Sequence, residues 1–186
     1  MDPIRFQLGK LLRLDAFARD LIPATIYRLA ESRKAWRQGS RQIAVQFRPE
    51  LKPLASERLV IVEWSYESIG VHYGYDAVRE DLRKLANAKN SEQITEGAAI
   101  GTAFVLVTVL MPNDTISKVV QKGGRGDFYL NGRADEMIEI SGTLQGPLDS
   151  LFNKKRTQVL LNEQLTRAIV SVTGFERPRS RLERVK

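Results

Sequence analysis

The chain has 186 residues, 42% hydrophobic and 27% charged, which suits one domain with a real core and excludes a disordered chain. It contains no cysteine and one histidine, His72, so disulfides, thiolate-bound metal and thiol nucleophiles are excluded, and a His-rich metal site or a Ser-His-Asp triad is argued against. The formal charge of +7 is uneven: residues 1–48 carry 10 basic and 4 acidic residues, 49–174 carry 14 and 16, and 175–186 carry 5 and 2, a pattern that suits a polyanion or an acidic protein partner as well as plain solubility.

The first apolar residues are broken by Lys10, Arg13 and Asp15, so no leader peptide is read. Residues 14–37 have helical spacing, with Phe17, Leu21, Ile26, Leu29 and Trp36 among charges and Pro23 marking a kink. This is a basic, amphipathic arm. Residues 42–47 and 58–65 are rich in Val, Ile, Phe and Trp and predict strands, with Pro49 and Pro53 between them. Residues 75–85 predict a short charged helix. His72 lies among Trp64, Tyr66, Tyr73 and Tyr75, a stretch able to stack bases or bury a dimer contact, although the plainer reading is a core edge.

After a linker at 86–90, Asn90 and Gln93 form the signature of a capping box, and the helix it starts runs to about residue 110, where Pro112 stops it. Its apolar stretch is shorter than the ~20 residues that cross a bilayer, so a buried helix in a cytoplasmic protein, with no membrane partner, is expected. Gly97 and Gly101, four apart, permit close packing. Three strands follow at 116–122, 125–130 and 136–141, then a helix from Pro147 to about 162 and a strand at 167–172; the last ten residues read as a basic tail. The resulting division is an N-terminal arm with extra strands and a short helix (1–89), a core (90–174) and a C-terminal tail (175–186). The run Lys122–Gly126 could cradle phosphate, but it lacks the P-loop pattern and reads more simply as a strand connection.

Three polar residues stand where a core would be apolar: Asp127 in the second of these strands, Glu139 between Ile138 and Ile140 in the third, and Lys155 in the helix after it. At about 100° per residue, Lys155 falls within the arc of Leu148, Leu151, Phe152 and Val159 and so faces the sheet, unless its stem carries the ammonium out to solvent. Two carboxylates on adjacent strands can hold magnesium or manganese, which activates water at a phosphodiester, with a lysine neutralising charge. The bland alternative is a pair of solvated strand carboxylates.

This helix-strand-strand-strand-helix-strand order, with Asp127 and Glu139 in successive strands, resembles the PD-(D/E)XK, or restriction endonuclease-like, superfamily over about residues 90–172. The resemblance implies an α/β fold of that type and Mg2+- or Mn2+-dependent nuclease activity. It makes Asp127, Glu139 and the Ile140 carbonyl the metal ligands and Glu96 an accessory acid. The chain departs from the pattern at Ser141, where the family carries lysine; Lys155 stands where a lysine migrated to the helix would lie. Arg33, Lys34, Arg37, Arg41, Lys122 and Arg125 are the expected nucleic-acid contacts. The alternative function is a degenerate subunit of the same fold that binds nucleic acid, a protein partner or a second copy. Small divergent members are associated with defence and mobile-element systems.

Register sets a condition on this site. A two-residue type I′ turn at Asn131-Gly132 pairs Leu130 with Arg133 and leaves Asp127 and Glu139 on opposite faces, which would break the site. The site therefore requires a loop of odd length or a bulge.

Overall fold

The computed structural model describes residues 2–14, 18–51, 54–119 and 128–186. In chain order they form β1 (Ile4–Gln7), α1 (Leu11–Leu14), α2 (Ala18–Leu29), β2 (Gln38–Arg48), β3 (Ser56–Ser65), α3 (Tyr66–Tyr73), α4 (Tyr75–Asn87) and α5 (Ser91–Leu110). These are followed by β4 (Ile116–Val119), β5 (Phe128–Leu130), β6 (Arg133–Thr143), α6 (Leu148–Leu160), β7 (Arg167–Gly174) and β8 (Arg179–Arg184). The strands make one mixed sheet in the order β1-β3-β2-β8-β7-β6-β5-β4, in which β1/β3, β2/β8 and β6/β7 are parallel and the other neighbours antiparallel.

Alternation in the sequence decides which face each strand buries. In β2, Ile43, Val45 and Phe47 are buried while Gln42, Ala44 and Gln46 are exposed, and β3 buries Val60, Val62 and Trp64 in the same rhythm. These residues join Ile138, Ile140, Ile169 and Leu182 in one large apolar layer. Over it lie α2 and α5.

Helix α5 begins as expected, with the Gln93 amide donating to Asn90 Oδ1 at 3.0 Å. By length and composition it could cross a membrane, but 61% of its most apolar window is buried inside the protein, between the sheet and α2. Two glycines set that fit. A Cβ on Gly101 would lie 2.0 Å from Thr25 Oγ1 of α2, and one on Gly142 of β6 would lie 2.8 Å from the Thr95 carbonyl oxygen. Gly101 on α5 and Gly142 on β6 therefore let both neighbours approach the α5 backbone.

The opposite face of the sheet carries α6, whose Phe152 and Val159 pack with Met137, Ala168, Val170, Val172 and Val185 in a second, smaller core. The elements from α5 to β7 follow the expected helix-strand-strand-strand-helix-strand order. Several expectations need correction. Residues 179–184 are not a tail: they form β8, paired with β2 on one side and β7 on the other, with Ser180, Leu182 and Glu183 buried. Its arginines suggested a solvated end, whereas they alternate with buried residues. The proposed helix over 14–37 ends at Leu29, with Pro23 inside α2, and Arg33–Trp36 is a separate 3-10 turn. Helix α3 and strand β1 were not anticipated. The first is capped reciprocally by Ser65 and Ser68, and the second is too short to show a period.

Candidate functional site

The hairpin between β5 and β6 determines where Glu139 points. Asn131 and Gly132 have φ of 54° and 71°, both positive as a type I′ turn requires, and Leu130 pairs with Arg133 across them. Taken alone, this two-residue turn would break the site. A bulge follows it at once: Tyr129 pairs with Met137 and Phe128 with Ile138, so Ala134, Asp135 and Glu136 have no partners on β5. Three extra residues reverse the parity. Met137 and Glu139 therefore share the α6 face with Tyr129, while Ile138 and Ile140 face α5.

Polar contacts pin the bulge. Arg167 at the start of β7 donates to both carboxylate oxygens of Asp114, one at 2.6 Å, and also reaches Glu136 Oε2 at 3.4 Å. Asn131 Nδ2 donates to Asp114 and Glu136, and Arg133 lies 3.1 Å from Glu136 Oε1. The amide of Thr166 donates to the Asp135 carbonyl at 2.9 Å. The paired Arg167 guanidinium is the largest cause holding the Asp114 carboxyl below the ordinary carboxylate range.

Beyond the bulge, Glu139 is 1% exposed, and Lys155 Nζ donates to its Oε1 at 2.5 Å. The lysine itself is 21% exposed, its neighbours Lys154 and Arg156 are outside, and α6 thus presents Lys155 to the sheet as its spacing predicted. A second buried carboxylate lies on the same face. Register places Val170 beside both Glu139 and Glu183. Glu183, also 1% exposed, is paired with Arg48 of β2 and accepts from Arg181 Nε at 2.6 Å. Arg181 also reaches Asp149 of α6 at 2.9 Å, and its guanidinium carbon lies 3.8 Å from the centre of the Phe152 ring. One helix thus covers two carboxylates and touches the cations of both. Glu183, Arg48 and Arg181 were missed in the sequence, although the alternation of residues 180–183 signals a strand.

Other expected residues are dispersed. Glu96 is exposed on α5, which packs on the opposite face of the sheet, so it does not join Glu139. The Ile140 side chain is buried on that same opposite face. Ser141 shares the face of Glu139 and pairs with Val172 in β7. Arg33, Lys34 and Arg37 are exposed, but Arg41 is held by Glu31 and is not a free phosphate contact. Asp127, Lys122, Arg125 and the rest of the 122–126 run lie outside the described residues. Among the described residues no group of three metal-ligating side chains assembles, so of the expected ion ligands they supply only the Glu139 carboxylate and the backbone at Ile140.

No family model, curated protein or solved structure matches the chain.

Proposed function

We propose that the chain is a metal-dependent nuclease of the PD-(D/E)XK kind, with Glu139 on β6 and a lysine carried by α6 instead of the strand. The observation behind this reading is the 2.5 Å contact of Lys155 with Glu139. A strand carboxylate with a lysine two residues on needs no help from the helix; with Ser141 in that place, α6 must supply the charge, and Lys155 reaches it. The bulge adds support, because it turns Glu139 toward α6.

Asp127 and Glu139 would hold the ion, with the Ile140 carbonyl beside them, and the ion would supply polarised water and neutralise charge at the phosphorus. The chain's own contribution is positional. Lys155 fixes the Glu139 carboxylate by a charge-assisted hydrogen bond, on the same face of the sheet as the apolar side chains of Met137, Val170 and Phe152. A second reading, a non-catalytic nucleic-acid-binding subunit, is favoured by the near-complete burial of Glu139.

The test is cleavage of plasmid DNA, single-stranded DNA and RNA with magnesium or manganese by the wild type, Asp127→Asn, Glu139→Gln and Lys155→Ala, each checked for folding by thermal melt. Loss of roughly a hundredfold or more in each variant is expected. No cleavage by the wild type, with salt-sensitive binding retained, overturns the nuclease reading in favour of the second. Cleavage undiminished in Glu139→Gln removes Glu139 from the site.

A further inference from the structure

On the α2 side of the sheet, away from Glu139, the 3-10 turn Arg33–Trp36 and helices α3 and α4 enclose a cleft of about 640 Å3. Its size suits a small organic ligand or a segment of a polymer. Arg33 and Arg37 enter it from the turn and Arg79 and Arg83 from α4, the latter two one helical turn apart and on the same side of their helix. Among the described residues these four arginines take part in no ion pair, whereas Arg5, Arg41, Arg48, Arg133, Arg167 and Arg181 all do. Glu67 and Asp76 also line the cleft, so it keeps a positive balance.

Aromatic rings form the rest of its wall. Trp36, Tyr66 and Tyr75 all line it; Tyr75 is 52% exposed and the other two are partly so. They are held by rigid neighbours. The Tyr66 amide donates to the Arg37 carbonyl at 2.8 Å, and Trp64 Nε1 donates to the Ala35 carbonyl at 2.8 Å, which fastens the arginine-bearing turn to the start of α3. Trp36 stands 5.7 Å from the Tyr27 ring and carries Arg33 over its own ring at 5.7 Å. Tyr75 lies across Gly70, where a Cβ would come within 2.6 Å of its ring. Burial raises the Tyr66 hydroxyl above its ordinary pKa, and the charges of Arg79 and Arg83 oppose that shift.

Guanidinium groups beside partly exposed rings match one polymer chemistry. Phosphates take the cations, and unstacked bases take the rings, which paired bases inside a duplex cannot do. We propose that this cleft binds single-stranded nucleic acid, with Arg79 and Arg83 on the phosphates and Tyr75 and Trp36 stacking bases. It is independent of the hydrolytic reading, because it uses no residue of the α6 face and its readout is binding.

The test is binding of labelled oligo(U) and oligo(dT) across a salt series, in competition with duplex DNA and with poly-glutamate, by the wild type and folded variants. Binding of either oligomer in preference to duplex is expected, and the two arms distinguish RNA from DNA. Arg79→Glu with Arg83→Glu should weaken it by tenfold or more and lower the log–log salt slope by about 1.4, the share of two phosphate contacts on a single strand. Tyr75→Ala should weaken it about tenfold, and Tyr75→Phe should restore it. A matched reversal elsewhere, Arg156→Glu with Arg177→Glu, should leave most of the affinity. Equal loss in the two double reversals, equal affinity for duplex or poly-glutamate, or no effect of Tyr75→Ala would each overturn the proposal.

Discussion

The two faces of the sheet are built on opposite terms. Against α2 and α5 the layer from Ile43 to Leu182 is large and apolar, and its helices come close enough for Gly101 to meet Thr25. Against α6 the apolar patch is small, and it is interrupted by Glu139, held by Lys155 of α6, and by Glu183, held by Arg48 of β2 and by Arg181 of its own strand. Buried ion pairs seldom improve stability over apolar residues of the same size, because desolvation offsets the Coulomb attraction. A fold needing only stability would repeat the first face on the second. The charges under α6 are therefore not accounted for by stability alone.

The largest effect should come from splitting the pair beneath α6. Lys155→Met leaves Glu139 buried without its lysine and should cost about 3 kcal/mol by urea denaturation. Glu139→Leu with Lys155→Met removes both charges and should recover most of that loss, or exceed the wild type by about 1 kcal/mol. A double variant as unstable as the single one would mean that the pair holds the fold together, and the contrast between the faces would fail.

On the α5 face the sensitivity should be steric. Gly101→Ala forces a methyl against Thr25 Oγ1 and should cost about 2 kcal/mol. Thr25→Ala removes the obstructing oxygen, which otherwise donates to the Leu21 carbonyl within its own helix, and should relieve most of that cost in a double-mutant cycle. Additive losses would show that the two helices are not in the close register described.

Local chemistry made much of this readable in advance. The Asn90 cap, the long apolar run of α5, the Val-, Ile- and aromatic-rich stretches of β2 and β3 and the inward arc of Lys155 are signals within a few residues of one another, and each element formed around the residues they marked. What stayed hidden is partly non-local and partly local chemistry in unusual residues. Strand β8 has arginines on the face that lies beneath α6, where Arg181 finds Glu183, Asp149 and a ring, so its composition imitates a tail. The α3 capping box uses two serines instead of the usual serine and glutamate. The turn at Asn131-Gly132 was read as a choice between a tight turn and a bulge, and the chain uses both. Glu96 was misplaced because the sequence does not tell which side of the sheet a helix will cover.

The smallest effect tests the device that turns Glu139 to its face at all. Arg167, Asp114 and Asn131 converge on the bulge that shifts β6 past β5, and Asp114 is the carboxylate most engaged in that clamp. Its carboxyl is held below the ordinary range chiefly by the Arg167 hydrogen bonds, so the stability it contributes is complete above about pH 4 and is lost as pH falls through its lowered folded-state value. Asp114→Asn should therefore cost about 1 kcal/mol near neutrality, and the gap from the wild type should close in acid. Amide exchange should quicken at Met137 and Glu139 relative to Val170 and Val172 in β7, since the clamp restrains β6 against its neighbour while the β7/β8 pairing stands apart from it. A uniform loss across both strands would make Asp114 an ordinary surface partner. A loss confined to β6 ties the choice of face, and with it the Glu139–Lys155 contact, to the polar side chains of Arg167, Asp114 and Asn131 at the start of the strand.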